Sequence, residues 1–280
     1  MTITVDPVLV SLGPLAVRWF AVLALAGLGL AVWLSVRELR LTNVGARMAL
    51  DGLAWALPAG VIGARVAHLV GYWDYYLTRP AELWRLDLSS LSLWGGLAAG
   101  GLIFAARIRA GGVVRRRRIL DVVARYALLG IAIGRLGEFV DGQGQGLPSL
   151  VPWATQYTSR MAATPDFGVP RQPAQLYDAL IALGLFAALS LVPTRVPAGT
   201  RLALALIAYG AARVALGAVR VDPTFAFGLQ IEQLLAMAGM LVGAVVGVRP
   251  LLQRGLLARQ TALGGAAADQ ARRPEDSLAA

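Results

Sequence analysis

The chain has no cysteine, no lysine, a single histidine, and few charges of either sign. Without cysteine there is no disulfide, no thiolate metal site and no cysteine nucleophile. No metal site and no cofactor are expected. Charged residues make up 15% of the 280 positions, against about 25% in ordinary soluble domains. Hydrophobic residues reach 57%, with 32 glycines. These proportions argue against a soluble globular domain and exclude a collagen-like or disordered chain. The cationic side chains, all 26 of them arginine, outnumber 16 acids and leave a net charge of +10. Such an excess suits nucleic acid, anionic lipid or membrane topology. The positions of the arginines decide among them.

A helix needs about 20 mostly apolar residues to cross the hydrocarbon layer. Seven segments approach this, at about 16–36, 49–72, 91–106, 119–140, 173–192, 202–219 and 228–248. The expected fold is therefore an all-α integral membrane protein with seven transmembrane helices. With the N-terminus outside, sixteen arginines fall on the inner side, six on the outer side and four within spans. That bias sets the N-terminus outside and the C-terminus in the cytoplasm. The run Arg115 to Arg118 then reads as an anchor against anionic lipid, and no nucleic-acid partner is expected. Trp19, Tyr72, Trp73, Tyr75, Tyr76, Trp84 and Trp153 fall near the outer interface, where amphipathic rings sit. Residues 1–259 form the membrane domain, with outer loops at 73–90 and 141–172. Residues 260–280 read as a disordered cytoplasmic tail.

Ionisable groups inside spans are costly and mark pathways or sites. The fourth span ends in Gly134-Arg135-Leu136-Gly137-Glu138-Phe139-Val140-Asp141-Gly142-Gln143-Gly144-Gln145-Gly146. Arg135 and Glu138 are three apart and share a helix face. The glycines that follow let backbone N–H groups approach a ligand oxygen. The sixth span carries Tyr209 and Arg213, four apart, with Arg220 at its outer end. Arg135 and Arg213 together match a phosphate clamp. The plainer alternative pairs Arg213 with Glu138 or Glu232 as structural glue. Arg65 and His68 lie near the outer end of the second span, and a lone histidine there reads as a packed, hydrogen-bonded residue. Gln175 and Asp178 share a face at the start of the fifth span, after Pro173, either lining a cavity or bonding across helices.

These segments resemble the prolipoprotein diacylglyceryl transferase family. Gly134 to Gly146 is similar to its signature G-R-[IL]-G-N-F-[IL]-N-G-E-x-x-G. Further matches are Gly63-Ala64-Arg65 with Trp73-Asp74-Tyr75-Tyr76, Pro152-Trp153-Ala154, Arg171 to Asp178, and Tyr209-Gly210-x-x-Arg213 with Arg220 seven residues on. The matches run in order through residues 14–235.

The resemblance implies a multi-pass enzyme of the bacterial inner membrane acting in lipoprotein biosynthesis. Its reaction moves diacylglyceryl from phosphatidylglycerol to the thiol of a lipobox cysteine in a lipoprotein precursor, releasing glycerol phosphate. The candidate catalytic residues are Arg135, Arg213, Glu138 and Tyr209. The candidate lipid- or phosphate-binding set is Arg135, Arg213, Gly137, Asp141, Gly142, Gly146, Arg65 and Gln175.

The chain departs from the family pattern where acid–base chemistry is concerned. The histidine before a Gly-Gly pair is Trp94, the histidine before the fifth-span proline is Gln172, and the first-span tyrosine is Phe20. The signature asparagines are Glu138 and Asp141, the signature glutamate is Gln143, and the glutamate four after Arg213 is Gly217. Two readings stay open. Either Glu138 or Asp141 takes over as base, or the chain binds an anionic lipid and performs a different transfer or none.

Overall fold

The computed structural model describes residues 1–12, 15–84, 90–193 and 195–247. The tail expected from 260, and the arginines at 85, 249, 254, 259, 272 and 273, lie outside the described residues. Each of the seven apolar segments contains a helix. These are α1 (Trp19–Leu41), α2 (Ala46–Gly71), α4 (Leu93–Arg107), α5 (Val113–Asp141), α6 (Ala174–Leu191), α7 (Thr200–Gly217) and α8 (Ile231–Gly247). The short α3 (Trp73–Thr78) follows α2, and a 3-10 turn at Pro80–Trp84 follows α3. Among the described residues, α1, α2, α6 and α7 are long and apolar enough to cross a membrane. Helix α4 has 15 residues. Helix α5 has 29 and carries several arginines. Leu25, Trp33, Trp55, Ile62, Leu102, Leu180 and Leu241 are exposed along these helices, an apolar exterior that lipid accepts and water does not.

Two expectations need correction. The fold is mostly helical and not wholly so. Strand β1 (Thr2–Ile3) pairs in parallel with β4 (Gln156–Tyr157), and β2 (Val8–Leu12) pairs antiparallel with β3 (Leu15–Arg18). The first helix accordingly starts at Trp19, because the apolar residues before it are spent on strand pairing. Helix α5 also begins six residues earlier than the apolar pattern indicates, so Arg115 to Arg118 lie on its first turns and not in a loop. Arginine propagates helix well, and Gly112 at φ 74° breaks the chain just before.

Glycine governs the close helix contacts. A Cβ on Gly27 would stand 2.6 Å from the Gly130 carbonyl, so α1 and α5 touch backbone to backbone there. Gly63 and Gly95 meet the same way, with a Cβ on Gly95 falling 2.6 Å from the Gly63 carbonyl where α2 crosses α4. Small residues at such crossings are how helices pack without a hydrophobic drive.

Polar residues fasten the ends. Buried Asp121 of α5 accepts from the Gly199 and Leu202 amides, both at 2.8 Å, and so caps α7 from a neighbouring helix. Ser92 caps α4 by accepting from the Gly95 amide at 3.3 Å. Arg125 of α5 pairs with Glu38 of α1. It is a structural tie.

Candidate functional site

The charged residues converge where the C-terminal end of α5 meets the start of α6, the end of α7, the start of α8 and the end of α2. Arg135 Nη1 donates to Glu138 Oε1 at 2.5 Å, and its Nε lies 2.8 Å from Asp178 Oδ2 on α6. Arg213, fully buried on α7, pairs with Glu232 of α8, whose other oxygen accepts from the Ser92 hydroxyl at 3.1 Å. Arg220 donates from Nε to Asp222 at 2.9 Å, and its Nη1 stands 4.0 Å from Glu138. Asp222 is also 3.5 Å from Arg213. Three guanidiniums thus mesh with four carboxylates. Burial opposes the charge on Arg220, but Asp222 and Glu138 outweigh it and hold its pKa above the ordinary value.

A cavity of about 130 Å³ opens inside this network. Arg135, Glu138, Gly144, Arg220, Asp222 and Glu232 line it, joined by His68, Tyr72 and Ser92. It has room for a phosphate-sized group and not for a two-chain lipid. Arg135 Nη2 and Arg220 Nη1 are buried and make no hydrogen bond among the described residues. They are the donors available to a new acceptor. A larger depression of about 650 Å³ lies by the N-terminal end of α5, among Asn43, Met48, Arg115 and Arg118. Its lining brings no carboxylate to those arginines.

The structure sorts the expected residues. Arg135 and Glu138 line the cavity together, as their shared face requires. Arg213 does not line it; it stands behind Glu232, and Arg220 takes the lining position. Tyr209 is buried with its ring stacked on Trp94 at 5.5 Å between centroids, so the aromatic that replaces a family histidine packs flat on the tyrosine. Arg65 is spent on the segment that follows α2, its two terminal nitrogens donating to Tyr76 Oη, Ser90 O, Glu82 O and Leu83 O at 2.9–3.3 Å.

Asp141 is fully buried and accepts from Arg18 Nε at 2.6 Å, tying the N-terminal arm to the end of α5. Burial, reinforced by the Asp141 charge, pushes the neighbouring Tyr157 phenol above its ordinary value. Tyr157 remains a neutral donor to the Phe139 carbonyl. Gln175, also fully buried, donates to the Gln143 carbonyl at 2.5 Å and positions the glycine-rich turn.

The signature glycines mostly serve packing. A Cβ on Gly137 would lie 3.1 Å from Phe20 Cα of α1, and one on Gly146 would lie 3.0 Å from the Val219 carbonyl. Gly142 ends α5 at φ 83°. Gly144, at a position the signature leaves variable, lines the cavity instead; its φ is 63°, and a Cβ there would fall 2.6 Å from Arg220 Nη2. Gly217, where the family has glutamate, is filled from α8: Gln233 occupies the space of a side chain at 217 and donates to Val214 O at 3.0 Å.

Of the residues lining the cavity, only Arg135 and Glu138 belong to the expected set. Arg220, Asp222, Glu232 and His68 were visible as charged or titratable groups near span ends. Their convergence depends on how α2, α7 and α8 meet.

A sequence profile described as prolipoprotein diacylglyceryl transferase matches residues 7–249. Relatives named phosphatidylglycerol–prolipoprotein diacylglyceryl transferase align nearly end to end. The Streptococcus mutans serotype c protein is 28% identical over 253 residues, covering 86% of this chain and 94% of its own. The Streptococcus sanguinis protein is 30% identical over 255 residues, covering 85% and 93%. The Streptococcus agalactiae serotype Ia protein is 27% identical over 256 residues, covering 86% and 95%. With a profile match across so much of its length and a relative at 30% identity, this chain belongs to the prolipoprotein diacylglyceryl transferase family.

Proposed function

We propose that this protein transfers the diacylglyceryl group of phosphatidylglycerol to the cysteine thiol of a lipoprotein precursor. The observation that carries this is the pair of buried guanidinium nitrogens that make no hydrogen bond among the described residues, Arg135 Nη2 and Arg220 Nη1, at one phosphate-sized cavity. The sulfur attacks the glycerol carbon that bears the phosphate ester. The carbon–oxygen bond breaks, its electron pair goes to the phosphate oxygen, and glycerol phosphate leaves as the thioether forms. Charge grows on the phosphate along this path, so fixed guanidiniums there stabilise the transition state more than the bound lipid. Arg135 and Arg220 would hold the phosphate. Arg213, Asp178 and Glu232 would keep the two arginines in position, and Gly144 would leave room for the Arg220 fork. The acyl chains would extend from the cavity into the surrounding lipid.

The same reading places seven crossings in the bacterial cytoplasmic membrane, with the N-terminal arm outside and the end of α8 inside. Four helices long and apolar enough to cross a membrane, the shorter apolar α8 and the one-sided arginines support it.

The test supplies purified protein with phosphatidylglycerol and a lipobox peptide and follows the mass gain on the cysteine. Transfer is expected, with Arg220→Ala and Arg135→Ala each lowering kcat by on the order of 10²-fold or more. No transfer, where a relative with the full family motif is active, overturns the proposal.

A further inference from the structure

Thiol attack needs a proton acceptor, since the thiolate is the nucleophile. Each carboxylate lining the cavity is already engaged: Glu138 by Arg135, Asp222 by Arg220, and Glu232 by Arg213. A proton taken up by any of them breaks an ion pair in the group that holds the phosphate. His68 is different. It is the only histidine of the chain, lines the same cavity from the last turn of α2, and makes no side-chain hydrogen bond or ion pair among the described residues. Its ring is oriented by packing, stacked on Tyr72 at 4.6 Å and edge-on to Tyr76 at 6.1 Å. The charged groups around it are Arg65 on its own helix, Asp222 and Arg220 after α7, and Glu232 of α8. The contact of Gly71 with Ile231 brings the end of α2 against the start of α8, and so brings His68 to these groups.

We infer that His68 is the general base that accepts the proton of the substrate thiol. This rests on the transferase reading. The imidazole nitrogen takes the S–H proton, the thiolate sulfur forms the new carbon–sulfur bond, and glycerol phosphate departs with the electron pair of the broken carbon–oxygen bond. The imidazolium then returns its proton to the phosphate oxygen or to water. The family positions that hold histidine are Trp94 and Gln172 here. Trp94 is packed on Tyr209, which leaves His68 as the only imidazole at the cavity.

Two variants separate base from packing. His68→Phe keeps the ring stack on Tyr72 and loses the nitrogens. His68→Gln keeps polarity and cannot act as a base near neutral pH. Both are expected to lose 10²–10⁴-fold in kcat, with the KM for phosphatidylglycerol and the melting temperature close to wild type. The residual rate should rise with pH as solvent supplies thiolate. A His68→Phe enzyme within about threefold of wild type overturns the inference.

A readout without turnover distinguishes the two claims. A histidine-selective acylating reagent modifies one site in this chain, provided that the purification tag carries no histidine. A bound lipobox peptide with serine in place of cysteine should shield His68 from it. If the wild-type protein transfers no lipid, the proposed function fails, and shielding still decides whether His68 faces the acceptor. An unchanged acylation rate overturns its role.

Discussion

Arg213→Leu probes the network behind the cavity most directly. The guanidinium is fully buried and pairs with Glu232, whose side chain keeps 21% of its surface exposed toward the cavity. Removing the cation leaves Glu232 with the Ser92 hydroxyl at 3.1 Å as its remaining hydrogen bond among the described residues. Asp222 loses a 3.5 Å neighbour and keeps Arg220 at 2.9 Å. Breaking a buried pair from one side costs about 3–5 kcal/mol. The partial exposure of Glu232 places this case near the lower end, about 3 kcal/mol. A loss of that size lowers the melting temperature by on the order of 10 °C. The double variant Arg213→Leu/Glu232→Leu removes both charges, and an apolar pair of similar volume is often tolerated or stabilising. It should therefore regain most of the lost stability, with a coupling of about 1–3 kcal/mol. Thermal unfolding in one detergent, with all four members of the cycle side by side, measures this. A single variant melting within about 2 °C of wild type refutes the reasoning. A double variant less stable than Arg213→Leu refutes it as well.

The remaining predictions concern the turn after α5, the filled glycine site and the topology. Gly144→Ala should cost about 1–3 kcal/mol, from its positive φ and the Cβ position 2.6 Å from Arg220, and should lower transfer more than stability. Gly29→Ala, with nothing within 4 Å of the added carbon, should be neutral or stabilising in the same assays. Gly217→Glu should destabilise because Gln233 occupies that space, and adding Gln233→Ala should restore the melting temperature; failure of the double variant to recover refutes the filled-site reading. Because the chain lacks cysteine, single-cysteine variants need no cysteine-free background. An impermeant maleimide on intact spheroplasts should label Thr164→Cys and spare Thr42→Cys, and the opposite pattern would invert the proposed topology.

Much of this architecture was legible because it depends on spacing along one helix. The apolar segments appear as helices, and Arg135 meets Glu138 because residues three apart share a face. The arginine bias could be counted directly. The interhelical partners were not legible in the same way. Nothing in the order of residues says that Arg125 answers Glu38 across 87 positions, or that Arg65 fastens the following loop. The N-terminal strands were missed because short apolar runs read equally well as helix, and the partner of β1 at Gln156 lies far along the chain.

The candidate site divides the same way. The amino-acid order alone established a membrane helix bundle, a glycine-rich turn after α5, and missing histidines where the family carries them. Which arginine reaches the cavity was set by packing: α7 ends at Gly217, so Arg220 lines the cavity while Arg213 stays behind Glu232. His68 gained its place for the same reason, since the close approach of α2 to α8 at Gly71 brings an isolated side chain among three ion pairs. Contacts within a helix follow from its 3.6-residue period. Contacts between helices follow from where small residues let backbones meet, and only the folded chain decides that.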